Sequence, residues 1–180
     1  MKSVLILSLI IWGLAACKKD VDELPPVTQT GANTFGARVN GQLWVPQGFG
    51  VAQTASILEA RFADGGSSVV INARNFGSSP TETEFEIYLK DITASGTFLL
   101  NQFTDNYPNQ SASYGYYIER RFTPLDEWIT NTQFNGRIDV TRFDVTNKII
   151  SGTFEFRAAK TANASQFITV TEGRFDVKIQ

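Results

Sequence analysis

The chain has 180 residues, with 16 Lys or Arg against 18 Asp or Glu and a net charge of −2. With charge so near balance and no basic patch, nucleic acid has nothing to grip. Histidine is absent and Cys17 is the one cysteine, which excludes Ser–His and Cys–His nucleophilic catalysis and removes the commonest general base and metal ligand together.

Met1-Lys2-Ser3 places one positive charge ahead of an apolar stretch, Val4 to Leu14, that ends in Ala15-Ala16-Cys17. A basic start, a short apolar stretch and small residues before a cleavage point make residues 1–16 a secretory signal peptide. The stretch is too short to span a bilayer, which takes about 20 apolar residues. Leu14-Ala15-Ala16-Cys17 resembles the lipobox of bacterial lipoproteins, in which a leucine and two small residues precede the cysteine. The resemblance implies cleavage after Ala16, a diacylglyceryl thioether on Cys17, and usually acylation of the new amino terminus. One acyl chain holds a protein only marginally, whereas two or three hold it durably. Once Cys17 is acylated no thiol remains for a disulfide, so the mature domain must stand on its hydrophobic core.

Lys18 to Asn33 (KKDVDELPPVTQTGAN) has no apolar periodicity and carries Pro25-Pro26. Such composition buries too little surface to offset chain entropy, so residues 17–33 read as the lipidated cysteine and a flexible tether. Lys18-Lys19-Asp20, followed by Asp22-Glu23, resembles the charged export signal of Bacteroidota surface lipoproteins. That implies a lipid-anchored protein of the outer membrane displayed at the cell surface; the alternative is the periplasmic face.

From residue 34 the chain shows no repeat and no domain boundary, and residues 34–180 are enough for a single domain with a sizeable core. Fourteen phenylalanines, fourteen glycines and short alternating runs of β-branched residues are a strand-rich composition. Thr34–Val39 and Gln42–Val45 flank Asn40-Gly41, the strongest short hairpin signal, in a register that sets Ala37 opposite Trp44. Ser56–Ala63 and Ser67–Phe76 flank a second turn at Asp64-Gly65-Gly66. Thr83–Ile92 alternates, with Phe85, Ile87 and Leu89 on one face and Glu84, Glu86 and Lys90 on the other. Gly96–Leu100, Tyr114–Arg121, Arg137–Phe143, Lys148–Ala158 and Gln166–Ile179 complete the strands, and a short turn is expected near Thr123–Trp128 after Pro124. In the last strand the apolar frame moves from even positions (Ile168, Val170) to odd ones (Phe175, Val177, Ile179), which predicts a β-bulge at Glu172-Gly173. The fold expected is all-β, a single antiparallel β-sandwich, with a closed up-and-down β-barrel as the alternative.

Asn33–Trp44, Gly136–Asp144, Ile149–Arg157 and Thr171–Lys178 together resemble a family of Bacteroidota lipoproteins of unknown function. Its members open with a Phe-x-x-x-Val-Asn-Gly-x-x-Trp hairpin and close with Ser-Gly-Thr-Phe-x-Phe and Gly-Arg-Phe-Asp strands. This chain has Ala37 where relatives often carry a cysteine. The resemblance implies source, location and β architecture, and carries no activity, cofactor or catalytic residue.

Glu84 and Glu86 stand roughly 6.5–7 Å apart on one strand face, at the low end of the separation used by inverting glycosidases. Lys90 continues that face, and a solvated strand exterior accounts for it better; Asp139 and Glu155 read the same way. An oxygen-only cation site could draw on Asp105-Asn106 or on Asp144 with Asn147, but Asx turns explain both pairs more simply. No catalytic residue, metal or cofactor is expected. The open possibility is ligand binding. Tyr107, Tyr114, Tyr116, Tyr117 and Trp128 gather around the polar loop 101–113, and aromatic faces beside amides suit sugar recognition. Tyr107, Tyr114, Tyr117 and Trp128 are the candidate ligand-binding residues. In the plainer alternative Tyr114, Tyr116 and Ile118 face the core while Tyr117 covers an edge. The function expected is a non-enzymatic binding or accessory module with a glycan or protein partner. A structural envelope lipoprotein without a soluble ligand is the alternative, and a carboxylate-dependent glycoside hydrolase the least favoured.

Overall fold

The computed structural model describes residues 22–48, 56–77, 81–104, 111–120 and 126–180. The signal peptide, Cys17 and residues 18–21 lie outside the described residues. Among those described, eleven strands form: β1 (Thr34–Val39), β2 (Gln42–Trp44), β3 (Leu58–Ala63), β4 (Ser68–Asn75), β5 (Glu82–Leu89), β6 (Gly96–Leu99), β7 (Tyr114–Arg120), β8 (Asp126–Ile129), β9 (Gly136–Asp144), β10 (Ile149–Lys160) and β11 (Asn163–Lys178). Every ladder between them is antiparallel.

The strands follow one path, β2-β1-β11-β10-β8-β7-β5-β4-β3, with β9 and β6 branching from β10. β10 makes the fold possible. Its residues Ile149–Phe156 pair with β9, and Ala159 and Lys160 then pair with β8. The sheet thereby passes from one layer to the other. The layers face each other across a phenylalanine core: the Phe85 ring lies 5.6 Å from Phe35, 6.1 Å from Phe154 and 4.6 Å from Trp44. This is an open, sandwich-like β domain and not a closed barrel. Among the described residues no ladder joins the two ends of the path; they approach only through single parallel bridges, Ala60 of β3 with Ile179 just after β11, and Gln47 just after β2 with Asn75 of β4.

The first hairpin forms in the expected register. Ala37 opposes Trp44, and Asn40 and Gly41 take φ of 49° and 81°, as a type I′ turn requires. The bulge in β11 is also present. Two steps along β1, and two along β10, answer three along β11 between Val170 and Arg174, and Glu172 has φ of 52°. The turn expected near Thr123–Trp128 is corrected at its end. Asp126–Ile129 is strand β8, paired with both β7 and β10. Four residues are too few to display alternation, so tertiary pairing decides their state.

The outer face of β4, β5 and β7 differs from the solvated exterior expected of Glu84 and Glu86. Glu84 is 9% exposed and Glu86 5%, beside a second apolar cluster containing Val70, Tyr88, Tyr114, Tyr116, Ile118 and Ile129. Both faces of these strands are therefore buried.

Candidate functional site

The four aromatic candidates do not form one surface. Tyr107 lies outside the described residues. Tyr117 points into the main core, 3% exposed, with ring contacts to Phe85 at 4.9 Å and Trp128 at 5.7 Å. Burial, with the Glu119 charge behind it, pushes its phenol well above the ordinary range. Tyr114 is 1% exposed on the opposite face, stacked on Tyr88 and donating its hydroxyl to Glu86 Oε1 at 2.6 Å. Trp128 is 7% exposed under the ammonium of Lys160. The expectation that these rings present stacking faces is thus corrected: their faces are occupied by protein. The edge position of Tyr117 is corrected too. Along β7 the period of two sends Gly115 and Tyr117 inward, and the missing side chain of Gly115 makes room for the Phe156 ring.

The carboxylates are engaged as well. Glu84 accepts from Arg74 Nε at 3.1 Å and Arg120 at 2.9 Å, and Glu86 accepts from Asn72 Nδ2 at 2.7 Å. Asp139 and Glu155 share Arg137, at 3.2 and 3.1 Å. Asp144 closes a turn, accepting from the Asn147 amide and side chain at 2.8 Å each. The adjacent Arg142 guanidinium, aided by those Asn147 donors, holds the Asp144 carboxyl well below the usual carboxylate range. Asp105-Asn106 lies outside the described residues. No group of three or more potential metal ligands occurs among the described residues.

A sizeable concavity lies elsewhere, and sequence reasoning missed it. It begins with the segment before β1. Residues 28–33, expected to belong to a flexible tether, are hydrogen-bonded to the domain, which corrects that part of the 17–33 reading. Asp176, 1% exposed on β11, receives Thr28 Oγ1 at 2.6 Å, the amides of Thr30, Gly31 and Ala32 at 2.9, 2.7 and 3.1 Å, and Ser151 Oγ at 2.7 Å. Burial is the largest influence on this carboxyl and would raise its pKa. The donors outweigh it, led by Thr28 and Ser151, and hold the carboxyl well below the usual range. Gly31 takes φ of 71°, and Asn33 accepts the Lys178 amide at 3.0 Å. Further back, Leu24 and Pro25 rest on Gly36, where a Cβ would come within 2.8 Å of the proline ring. The segment is a strap across the end of β1 and β11.

Between this strap, the end of β2, the start of β3 and the end of β11 lies a cleft of about 510 Å³. It occupies the seam where the two ends of the strand path meet through single bridges instead of a ladder. Its inner wall is apolar, with Phe35 and Val177 only 2% and 1% exposed and Ile57 and Leu58 half-buried above them. Its rim is polar, with Glu23, Asn33 and Lys178 exposed. Glu59, also at the cleft, is paired with Arg74 at 3.4 Å. The cleft thus combines a concave apolar wall with a few polar groups at its mouth, and its volume falls within the range of about 300–1,000 Å³ usual for ligand pockets. Comparison with known proteins adds no relative, since no family model, curated protein or solved structure matches the chain.

Proposed function

We propose that this chain is an outer-membrane lipoprotein, anchored through acylated Cys17, whose β domain is a non-enzymatic binding module with its ligand site in the seam cleft. The address rests on the signal peptide, the lipobox and the charged residues after Cys17, which favour the cell surface over the periplasmic face. The binding role is carried by one observation: a 510 Å³ cleft with an apolar floor and a polar rim, built jointly by the strap and both ends of the strand path. Glycan capture on Tyr114, Tyr117 and Trp128 is not part of this reading, because those rings are packed inside the domain.

The test uses the full-length protein. Metabolic labelling with palmitate should mark the wild type and miss Cys17→Ala, which should leave the membrane fraction. The hydrophobic dye anilinonaphthalene sulfonate should bind the folded protein at one saturable site, and Leu58→Trp, which fills the cleft, should abolish that site. Absence of acylation sinks the address, and dye binding that ignores Leu58→Trp sinks the site.

A protein partner is the second reading, favoured by a separate observation. Leu99, the last residue of β6, and Phe103 beyond it are 58% and 62% exposed, and β6 among the described residues pairs on one side only, with β9. A one-sided edge strand flanked by exposed apolar side chains suits strand addition by an envelope protein. Site-specific crosslinking from position 99 in intact cells should then trap one discrete partner, and a smear of unrelated products would count against it.

A further inference from the structure

We propose that the seam cleft takes an acyl chain of a membrane phospholipid, with the chain against Phe35, Leu58 and Val177 and the headgroup between Lys178 and Glu23. The inference rests on the lipid-anchored binding module proposed above and names its ligand class.

Reach is the first argument. Glu23, on the cleft rim, stands six residues after Cys17. Fully stretched, six residues span about 20 Å. An anchor at Cys17 therefore keeps the mouth of the cleft within about two-thirds of a hydrocarbon core's thickness of the bilayer, taking that core as about 30 Å. Acyl chains are the apolar ligand at highest local concentration there. The strap strengthens this point. Because Asp176 holds residues 28–32 against β11, those residues add no slack between anchor and domain.

The second argument is the order of chemistry from mouth to floor. The most buried lining residues are Phe35 and Val177, and the charged ones, Glu23 and Lys178, are exposed. An amphiphile presents the same order, apolar end inward. A free sugar would instead bring hydroxyls against a floor of phenylalanine and valine, where they would go unpaired.

Charge supplies the third argument. Glu59 pairs with Arg74, which it shares with Glu84. Lys178 and Glu23 make no ion pair among the described residues. Among the described residues, Lys178 and Glu23 thus offer an unpaired cation and an unpaired anion at the mouth, matching a headgroup of both signs, the phosphate toward Lys178 and the ammonium toward Glu23.

The experiment places full-length lipidated protein in vesicles of phosphatidylethanolamine and phosphatidylglycerol. A fraction of the phosphatidylethanolamine carries a diazirine near the end of one acyl chain, and labelled peptides are mapped after illumination. Label should concentrate on the peptides bearing Phe35, Leu58 and Val177. In Leu58→Trp it should fall about tenfold, the change that about 1.4 kcal/mol of lost affinity gives. Lys178→Glu changes an exposed side chain and leaves the walls intact; it should lower the label severalfold with an unchanged near-ultraviolet spectrum. Should Leu58→Trp fail to fold, Ile57→Trp takes its place. Label spread over the surface and indifferent to both substitutions overturns the proposal. An anchored protein that binds the dye yet shows no label in the cleft overturns the phospholipid inference alone, whereas loss of both dye and label overturns the binding module with it.

Discussion

The Gly31 amide donates to Asp176 Oδ1 at 2.7 Å, joining positions 145 residues apart and fastening the segment before β1 to the last strand. That contact stands at the centre of a nest. Asp176 Oδ2 takes Thr28 and the amides of Thr30 and Ala32, and Oδ1 also takes Ser151. A carboxylate receiving this many donors is worth more charged than neutral. It ties the wall of the cleft to the core of the domain, so the cleft's shape depends on a side chain that does not line it.

Asp176→Asn should therefore loosen the strap without destroying the fold. The substitution keeps the shape but turns an NH₂ group toward amides and hydroxyls that are themselves donors, whichever way the amide is flipped. The cost should be about 2–4 kcal/mol, limited because the strap can release its amides to water. Urea unfolding measures it, and proteolysis within residues 24–33 should accelerate before global unfolding. The pH dependence follows from the lowered carboxyl. A group whose folded pKa lies below its unfolded value, about 3.9 for Asp, stabilises fully above that value and loses its contribution as pH falls toward the folded pKa. Wild-type stability from this group should stay level from pH 7 to about 5 and decline below about 4, and Asp176→Asn should flatten that decline. An unchanged acid slope in the variant would show that Asp176 is not the group responsible.

The strap illustrates what the sequence left illegible. Hairpin Asn40-Gly41, the opposition of Ala37 and Trp44, the inward row Phe85-Ile87-Leu89 and the bulge at Glu172-Gly173 were readable because each is a local signal, a turn or a change of period. TQTGAN holds no period. It docks through side-chain and main-chain hydrogen bonds to one aspartate far along the chain, and such pairing has no local signature. The outward row Glu84-Glu86 misled for a related reason. Charged residues alternating with apolar ones ordinarily mean solvent, yet here Arg74, Arg120 and Asn72 answer them from neighbouring strands. The cleft was invisible because it is a product of topology, where two ends of a strand path meet.

Glycines give a sharper test of the layer packing. At Gly152 a Cβ would stand 2.4 Å from the Asp139 carbonyl oxygen and 3.1 Å from the Val140 Cα, both backbone atoms of β9. Backbone cannot step aside without breaking the β9–β10 ladder, so Gly152→Ala should destabilise by about 1–3 kcal/mol. At Gly96 a Cβ would meet nothing, and φ lies outside the left-handed region. Gly96→Ala should stay within about 0.5 kcal/mol of wild type. Chemical denaturation of the two variants side by side decides the matter, and equal effects would contradict the packing described.

Tyr117 and Trp128 separate folding from recognition. Truncating a ring packed against Phe85 removes core volume, so Tyr117→Ala should cost about 3–5 kcal/mol, and Trp128→Ala a similar amount. Tyr117→Phe keeps the ring and should cost about 1 kcal/mol or less. Any binding lost in the alanine variants should track the unfolded fraction and return in Tyr117→Phe. A folded Tyr117→Ala protein that has lost binding would instead restore the ring to a ligand surface.

Glu84 offers the remaining contrast, between an ion pair held in the outer face of the sheet and one near its margin. Its side chain is 12% exposed and bridges Arg74 and Arg120, one on each side of β5. Neutralising it in Glu84→Gln would leave two guanidinium groups sharing an amide that can accept from them only through one oxygen. Arg120 is half exposed and can turn to water, but Arg74, at 24% exposure, has less freedom. The expected loss is about 3 kcal/mol, the low end for breaking a buried pair. Glu59, which reaches the same Arg74 at 3.4 Å, is a quarter exposed, and Glu59→Gln should cost under about 1 kcal/mol. The double variant should lose more than the sum of the two, because Arg74 then keeps neither carboxylate partner. Thermal unfolding of the single and double variants at low and high salt reads this out. Additive losses would mean that the two carboxylates act on Arg74 independently.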